Sequence, residues 1–326
     1  MAARSSWHGS LAALAALLAP QEAGREAPAG LPAELAGALA EQDPAVVALG
    51  EELFFDPILS ADRGVACASC HDPALGFAAN TPVSTGVHGR KTLRNAPTLY
   101  NRALGESFMW DGRAATLEEQ VLLPIENELE MDLALAEAVQ RLAQDPARAQ
   151  GFQRAFGAPP DEARLASALA SYVRTLVYGD SPVDRFRAAD FAALDSAARQ
   201  GLWLYESRGR CWRCHSGPNF TDESFHNTGV GVKAGQPEEG RFAVTGREED
   251  RGRFKTPTLR GLTETAPYMH DGSVATLEDI VAFYRGGGHA NPGLDPVLAP
   301  LDMSAEDAAN LVAFLKALSR APAEAR

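Results

Sequence analysis

Two short stretches, Cys67-Ala68-Ser69-Cys70-His71 and Cys211-Trp212-Arg213-Cys214-His215, hold all four cysteines of this chain. Each has the form C-x-x-C-H, in which two thiols can add to the vinyl groups of one haem while the adjacent imidazole reaches the iron. A zinc site or a redox dithiol would explain the cysteines, but neither explains a histidine directly after the second cysteine in both copies. The motifs therefore predict two covalently bound haem c groups, with His71 and His215 as iron ligands.

A second repeat follows each motif at a constant offset of 160 residues. Positions 96–121 and 256–281 align without a gap, and 11 of these 26 positions are identical. The shared residues include Pro97-Thr98-Leu99 with Pro257-Thr258-Leu259, and Met109 with Met269. The chain is therefore expected to be a duplicated unit of two haem domains, because a repeat of this kind reflects two copies of one structural element.

Composition narrows the class of protein. The 326 residues include 30 Lys+Arg and 43 Asp+Glu, giving a formal net charge of −13, with 45% hydrophobic and 22% charged residues. This composition is globular, and its acidic balance argues against nucleic acid or an anionic membrane surface as a partner. No apolar run approaches the roughly 20 residues needed to span a bilayer.

The N-terminus has the features of an export signal. Arg4 precedes the apolar stretch 11–18, and small residues follow at Ala19 and Ala23. A disordered, alanine-rich terminus is the alternative, but covalent haem attachment in bacteria takes place outside the cytoplasm and favours export. We expect residues 1–30 to be a signal peptide and flexible N-terminus, and the mature protein to be periplasmic.

The remainder predicts a mainly α fold made of two cytochrome c-like domains, each wrapping one haem c. Apolar residues recur at three- and four-residue spacing, which is typical of helices, over 133–156, 161–178, 191–206 and 304–318. Ser304 with Asp307 is a plausible capping pair. The turn-rich segment 179–182 predicts a boundary between an N-terminal peroxidatic domain at 31–182 and a C-terminal electron-transfer domain at 183–326.

Differences between the two copies indicate where function lies. Trp110 is replaced by His270, Gln120 by Ile280 and Pro124 by Tyr284. Glu130 and His88 belong to the first copy and have no obvious counterpart in the second. The first half therefore carries polar groups suited to proton transfer, so we expect its haem to perform chemistry and the second haem to move electrons.

The sequence resembles the bacterial di-haem cytochrome c peroxidase and MauG superfamily from about Gly50 to Leu318. The stretches that carry the resemblance are Gly86-Val87-His88-Gly89, Arg94-Asn95-Ala96-Pro97-Thr98, Trp110-Asp111-Gly112-Arg113, Gln120, Glu130-Met131, Phe254-Lys255-Thr256-Pro257-Thr258-Leu259-Arg260 and Thr265-Ala266-Pro267-Tyr268-Met269-His270-Asp271-Gly272. The resemblance implies a peroxidatic N-terminal haem and a C-terminal haem that accepts electrons from a small donor protein.

The resemblance also implies a role for particular residues around the first haem. His88 matches a removable sixth ligand, although a solvent-exposed loop histidine is the alternative. Glu130 matches the distal acid–base residue that moves a proton during cleavage of the peroxide bond. Gln120 matches the residue that orients the distal ligand. The alternative for Glu130 is a solvated charged face shared with Glu126 and Glu128.

Between the haems, the resemblance implies an electron bridge and a cation. Trp110 matches the indole that lies between the two groups, and it could equally be a buried core residue. Asn95, Thr265 and Pro267 match a calcium site built from oxygen ligands. Trp203 and Trp212 are expected to pack against the second haem.

Two residues compete to be the sixth ligand of the second haem. Met269 would raise the haem potential, but Met109 occupies the same place in the first copy, which favours a packing role. The classical peroxidases carry their ligating Met 14 residues after the position of His270, and this chain has Tyr284 there, as MauG does. Tyr284 is therefore preferred over Met269.

Three functions follow as hypotheses. The first is a peroxidase that reduces hydrogen peroxide to water with electrons from a small cytochrome c or copper protein. The second is a MauG-like oxidase that acts on a protein or organic substrate through high-valent iron, which Tyr284 supports. The third is a non-catalytic di-haem electron carrier, against which Glu130 and Gln120 speak. The oligomeric state, for which a homodimer is one candidate, is left open by the sequence.

Overall fold

The computed structural model describes residues 27–320, so the predicted export signal, which rests on residues 4–23, lies outside the described residues. Within this range the regular structure is almost entirely helical. In chain order the helices are α1 Glu34–Ala40, α2 Pro44–Phe54, α3 Leu117–Glu126, α4 Leu135–Gln144, α5 Pro146–Phe156, α6 Glu162–Arg174, α7 Pro182–Arg187, α8 Ser196–Glu206, α9 Phe242–Thr245, α10 Leu277–Arg285 and α11 Ala305–Lys316. Strands β1 Phe225–His226 and β2 Phe254–Lys255 pair antiparallel. The predicted mainly α fold is confirmed.

Two hydrophobic cores divide the described chain. The first contains buried apolar residues between Val46 and Leu176, and the second contains buried apolar residues between Val183 and Leu318. The gap between them falls at residues 177–182, next to the turn used to predict the domain boundary. The boundary at residue 182 remains a prediction, because the two halves also share buried contacts.

In each half, two helices cross at a glycine. A Cβ on Gly50 of α2 would lie 1.9 Å from the carbonyl oxygen of Ala168 in α6, and a Cβ on Gly201 of α8 would lie 2.0 Å from that of Asn310 in α11. Only glycine permits such a close backbone approach. The same device in both halves supports a duplicated architecture.

The segment that repeats at offset 160 has the same local structure twice. A bridge joins Phe108 to Ala114 in the first copy and Tyr268 to Val274 in the second. Thr116 then caps the N-terminus of α3 by accepting a hydrogen bond from the Glu119 amide, and Thr276 caps α10 in the same way. The sequence repeat is therefore also a structural repeat.

Buried polar contacts hold the N-terminal end of the described chain against the second half. Arg260 donates two hydrogen bonds to Asp184, at 2.7 and 3.0 Å, and both side chains are almost fully buried. Arg260 also donates to the carbonyl oxygen of Gly30, while the Asp180 amide donates to that of Ala29. The described end of the predicted flexible N-terminus is thus held against the segment between the two cores.

Two predicted helices differ from the structure. The segment 133–156 is not one helix, because Asp145 ends α4 and its side chain caps α5, whose first residue is Pro146. A proline fits the first turn of a new helix and disfavours helical backbone in the residue before it. The helix predicted from residue 191 begins only at Ser196. The capping pair Ser304 and Asp307 is confirmed at α11.

Candidate functional site

The first C-x-x-C-H motif forms a tight turn whose histidine is held at one ring nitrogen. Residues Cys67–Ser69 make one 3-10 turn, and Nδ1 of His71 lies 3.1 Å from the carbonyl oxygen of Phe77. Burial lowers the pKa of His71 and raises the pKa of the Cys67 thiol to about 12. A neutral imidazole that donates from Nδ1 leaves Nε2 free as a metal ligand.

The second motif repeats this geometry. Residues Cys211–Arg213 form a 3-10 turn, and Nδ1 of His215 lies 3.0 Å from the carbonyl oxygen of Phe220. Burial again lowers the pKa of the histidine, and it raises the pKa of the Cys211 thiol to about 12. The carbonyl oxygen of His215 also accepts a hydrogen bond from the Tyr205 hydroxyl.

A large apolar cavity opens at the second motif. It encloses about 1480 Å³ including the solvent at its mouth, and Cys211, Cys214 and His215 lie in its wall. Ligand cavities are typically lined mainly by apolar side chains. The donor set of two thiols and one imidazole in an apolar wall fits a covalently attached haem.

Both predicted candidates for the sixth ligand line this cavity. Tyr284 lies in α10 and Met269 in the loop before it. Burial raises the pKa of Tyr284, and the nearby thiols of Cys214 and Cys211 raise it further, which places its phenol close to the attachment turn. Met269 has a left-handed backbone with φ of 74°, and Met109 shares it with φ of 67°. A conformation common to both copies indicates that the methionine belongs to the repeated turn.

Glu130 lies near the first motif. Its Oε1 accepts a 2.6 Å hydrogen bond from the Asn127 side chain, and its charge raises the pKa values of the Cys67 and Cys70 thiols. Burial raises the pKa of Glu130, against the lowering effects of Asn127 and Arg113. Glu126 and Glu128 are exposed whereas Glu130 is half-buried, so the three do not form one solvated face.

Gln120 and His88 are less closely tied to this site. Gln120 is half-buried in α3, and its side chain makes no hydrogen bond to another residue of the described chain. His88 sits at φ of 57° on a turn whose neighbour, Val87, donates to the backbone carbonyl of Glu130 at 2.8 Å. The His88 side chain is 52% exposed, with Nδ1 3.8 Å from a carboxylate oxygen of Asp62.

Trp110 lies where the two halves meet. Its Nε1 donates a 2.9 Å hydrogen bond to the carbonyl oxygen of Asn95, and its backbone carbonyl accepts from the Lys255 amide at 2.8 Å. Its ring centroid is 6.3 Å from that of His270, and it lines the cavity of the second motif. It is thus both a packed indole and part of that cavity's wall.

The three predicted calcium ligands line the same cavity. Asn95 is 5% exposed, and its side-chain amide donates to the carbonyl oxygens of Thr81 and Pro82 at 3.1 and 3.4 Å. This leaves the Asn95 side-chain oxygen available as an acceptor or ligand. Thr265 and Pro267 belong to the loop before Met269.

Sequence reasoning missed a charged cluster beside Trp110. Glu238 accepts hydrogen bonds from Arg94 and from His270, whose ring stacks on Phe254 with centroids 3.6 Å apart. Burial opposes ionisation of Glu238, but these hydrogen bonds outweigh it and lower its pKa to about 2. Glu238 lies in no motif, and only the family stretches containing Arg94 and His270 pointed to this region.

A second missed cluster crosses between the halves. Lys255 donates to Glu223 at 2.9 Å, and Glu223 also pairs with Arg102 at 3.2 Å. Burial and the charge of Arg102 lower the pKa of Lys255 to about 8, against the pull of Glu223. The buried charges of Lys255, Glu223 and Arg102 partly neutralise one another, and the three residues meet only in the folded chain.

His226, which had no predicted role, bridges two carboxylates. Its Nε2 lies 3.0 Å from Asp222 and its Nδ1 2.6 Å from Asp295, and it lines the cavity. Hydrogen bonds to Asp222 and Cys214 raise the pKa of His226 to about 11. The bridge ties the loop around Asp295 to the motif turn.

The expectation that Trp203 and Trp212 pack against the second haem is wrong. Trp203 is 56% exposed and Trp212 is 46% exposed. Trp203 lies on the outer face of α8, Trp212 occupies a variable position of the motif, and neither residue lines the cavity of the second motif.

Two C-x-x-C-H turns in one helical, duplicated chain define the class of c-type di-haem proteins. A family model of di-haem cytochrome c peroxidase matches residues 44–191. Methylamine utilization protein MauG of Methylorubrum extorquens is 40% identical over 283 residues, which are 86% of this chain and 80% of that protein. Cytochrome c551 peroxidase of Pseudomonas aeruginosa is 37% identical over 279 residues, which are 83% and 78% of the two chains.

The fold agrees with these relatives. The crystal structure of a MauG-like protein associated with microbial copper homeostasis superposes with a TM-score of 0.80 at 31% identity, covering 90% of this chain and 93% of that one. This chain belongs to the di-haem cytochrome c peroxidase and MauG family, and it is an oxidoreductase of a family that carries two haem c groups. Across residues 27–320, no helix has both the length and the apolar character to cross a bilayer.

Proposed function

We propose that this chain reduces hydrogen peroxide to water with electrons from a small redox protein. The balanced reaction consumes one peroxide, two protons and two electrons and yields two waters. The observation that carries the proposal is Glu130, a half-buried carboxyl with a raised pKa beside the first motif. The second copy of the repeat has no equivalent acid, so proton chemistry belongs to the first half.

The chain's residues fit two haem c groups. Cys67 and Cys70 would hold the first and Cys211 and Cys214 the second, while the Nε2 atoms of His71 and His215 would be the iron ligands. When bound, each haem supplies a one-electron carrier, and the first also supplies the metal at which peroxide binds. The carbonyl oxygens that fix Nδ1 of both histidines orient the rings and keep them basic.

Glu130 is the proton shuttle of the first half. As a carboxylate it accepts a proton from bound peroxide, and as an acid it returns that proton to the departing oxygen. Burial raises the pKa of Glu130, which makes its protonated form easier to reach, and the Asn127 side chain holds one carboxyl oxygen in place. Gln120 has a free side-chain amide that can hydrogen-bond and orient the substrate.

The turn that carries His88 would regulate this site. It packs on the backbone of Glu130, so a change in the turn would act directly on the acid–base group. The His88 side chain is 52% exposed in the structure. Turned inward, His88 would help to hold the first haem and would compete with peroxide.

Trp110 carries electrons between the halves. Its indole N–H is bonded to a backbone carbonyl, which cannot accept a proton. The Asn95 that supplies this carbonyl also supplies a side-chain oxygen for calcium, together with Thr265 and Pro267, and a cation there fixes the loop between the halves.

In this proposal Tyr284 would be the second side chain, with His215, to hold the iron of the second haem. Its phenol lies close to the thiols of the attachment turn, and no hydrogen bond to another described residue occupies it. Met269 is instead held in the turn that both copies share. A phenol ligand lowers the haem potential relative to a thioether.

A MauG-like oxidase is the second candidate. Tyr284 favours it, as does the 40% identity to a MauG protein. This function would use the same Glu130 and Trp110 but would withdraw electrons from a protein or organic substrate. A purely electron-carrying protein would have no use for Glu130, which speaks against the third hypothesis. Export to the periplasm, where haem is attached, and a homodimeric state belong to the proposal as well.

The test is peroxide consumption by the purified di-haem protein with a reduced small cytochrome or copper protein. Two donor molecules oxidised per peroxide support the peroxidase. Rapid reaction with one peroxide followed by a stable oxidised spectrum and little turnover supports the oxidase. Two six-coordinate haems that are inert to peroxide would refute both functions.

A further inference from the structure

The two tryptophans near the second motif lie on the surface. Trp203 is in the last turn of α8, where the guanidinium of Arg208 lies 5.6 Å from its ring centroid. The Gly209 amide donates a hydrogen bond to the carbonyl oxygen of Leu204 at 2.8 Å. The Cys211–Arg213 turn follows two residues later. Both indoles therefore lie at the same end of α8. Large aromatic side chains exposed together are typical of protein-binding surfaces.

Arginines accompany these tryptophans. From the start of α8 to the second cysteine of the motif, residues 196–214 contain four arginines and one carboxylate. Arg213 is exposed and makes no side-chain hydrogen bond or ion pair with a described residue. Arg199 and Arg210 bond only to backbone carbonyls, so their charges are not neutralised by a carboxylate. This region is basic in a chain whose net charge is −13.

The first half has the opposite character at the corresponding place. From the start of α2 to the second cysteine of its motif, residues 44–70 contain four carboxylates and one arginine. The two variable positions of its motif are Ala68 and Ser69, where the second motif has Trp212 and Arg213. Both segments share one architecture, so the basic aromatic surface is not required by the fold.

This surface adjoins the second site. Gly209 and Arg210 line its cavity, and Trp212 is bonded to Cys211, one of the two attachment residues. A protein that contacts Trp212 is thus one residue from the thioether link. The rest of the acidic surface repels an acidic partner, whereas the local basic region attracts it and steers its approach.

We propose that Trp203, Trp212, Arg199 and Arg213 form a docking face for a small acidic redox protein, which delivers electrons to the second haem. This inference rests on the proposed function. Each docking event transfers one electron, which oxidises the donor by one unit and reduces the second haem iron from ferric to ferrous. Two donors in succession supply the pair of electrons that one peroxide consumes.

The experiment compares an acidic plastocyanin with a basic mitochondrial cytochrome c as reduced donors to the di-haem protein. Donor oxidation in the presence of peroxide is followed by stopped flow, and binding of oxidised plastocyanin is followed by calorimetry. The variants are Arg199→Glu, which lies outside the motif, and the double variant with Arg213→Glu. Arg154→Glu is the matched control, since Arg154 is exposed on α5 and makes no ion pair with a described residue.

Attraction between opposite charges is screened least at low ionic strength. Under this condition the rate constant for oxidation of plastocyanin is expected to fall roughly tenfold in the double variant. The fall in Arg199→Glu is expected to be smaller. Calorimetry is expected to show weaker binding, and Arg154→Glu is expected to match wild type. A faster reaction with the basic cytochrome, or equal effects of Arg199→Glu and Arg154→Glu, would overturn the docking face.

An uncharged ferrocene reductant separates the two proposals. Each donor rate is divided by the ferrocene rate of the same variant, which removes any change in haem content. If wild type consumes no peroxide with ferrocene or either protein, the peroxidase function fails. The calorimetric comparison of wild type, Arg199→Glu and Arg154→Glu would still decide whether the face binds an acidic protein.

Discussion

Replacing Glu130 by Gln tests the acid–base assignment with little structural change. Glutamine keeps the oxygen that accepts the 2.6 Å hydrogen bond from Asn127, but it cannot exchange a proton. Positioned general acid–base groups contribute roughly 10²–10⁴-fold to rate, so we expect a loss of this size in kcat/KM for peroxide. The matched control is Glu128→Gln, since Glu128 is exposed and two residues away, and it is expected to react like wild type.

Stability and pH distinguish a catalytic role from a structural one. Burial raises the folded-state pKa of Glu130 above its unfolded value of 4.5, so the folded state binds the proton more tightly. Its contribution to stability is therefore most favourable at acid pH and declines as pH rises through the folded pKa. At neutral pH the uncharged Gln variant is expected to unfold at no lower denaturant concentration than wild type.

The assay is stopped-flow reaction with peroxide from pH 4 to pH 8, alongside guanidinium unfolding of the same samples. Wild type is expected to slow at acid pH as Glu130 becomes protonated, and the Gln variant is expected to lose this limb of the profile. A Gln variant that keeps more than half of the wild-type rate and the same pH profile would refute the assignment. So would a variant that loses its rate only in proportion to lost folding.

Three further predictions follow from the second half and the interface. Tyr284→Phe is expected to change the absorption and electron paramagnetic resonance spectra of one haem, whereas Met269→Leu is expected to leave them unchanged; the reverse result would make Met269 the ligand. Asp184→Asn leaves the charge of Arg260 buried without a partner and is expected to cost about 3–5 kcal/mol in chemical unfolding, and a cost below about 1 kcal/mol would contradict this account of the buried pair. Trp110→Phe is expected to slow electron exchange between the haems in a half-reduced sample while haem content stays the same, and an unchanged exchange rate would remove Trp110 from the path.

The features that could be predicted from the sequence are those that depend on residues close together in the chain. The C-x-x-C-H spacing and the repeat at offset 160 are local patterns, and the structure gives both copies the same turn and the same threonine cap. The break between α4 and α5 was also readable in principle, because Asp145-Pro146 combines a cap residue with a first-turn proline. The apolar periodicity on both sides obscured it.

Features that depend on distant segments could not be predicted in this way. Glu238 reaches Arg94 across 144 positions, and Lys255 reaches the carbonyl oxygen of Ser107 across 148 positions. No spacing rule relates such residues, because the fold alone brings them together. The direction of Trp203 and Trp212 was misjudged for a related reason: large aromatic residues are usually buried, and the pattern of one helix does not reveal which of its faces stays uncovered.

Duplication provides two equivalent half-sites, and in the proposed function their differences set a direction for electrons. Both halves keep the histidine whose Nδ1 is fixed by a carbonyl, so the ligand turn alone favours neither. The first half adds Glu130, which gives its site a way to move protons, and it surrounds its motif with carboxylates. The second half lacks that acid and instead exposes Trp212 and Arg213 at its motif. In the proposed function, a reaction that consumes protons and a surface that receives a partner make opposite demands on water and charge. Their separation into two halves that meet at Trp110 would allow both demands to be met.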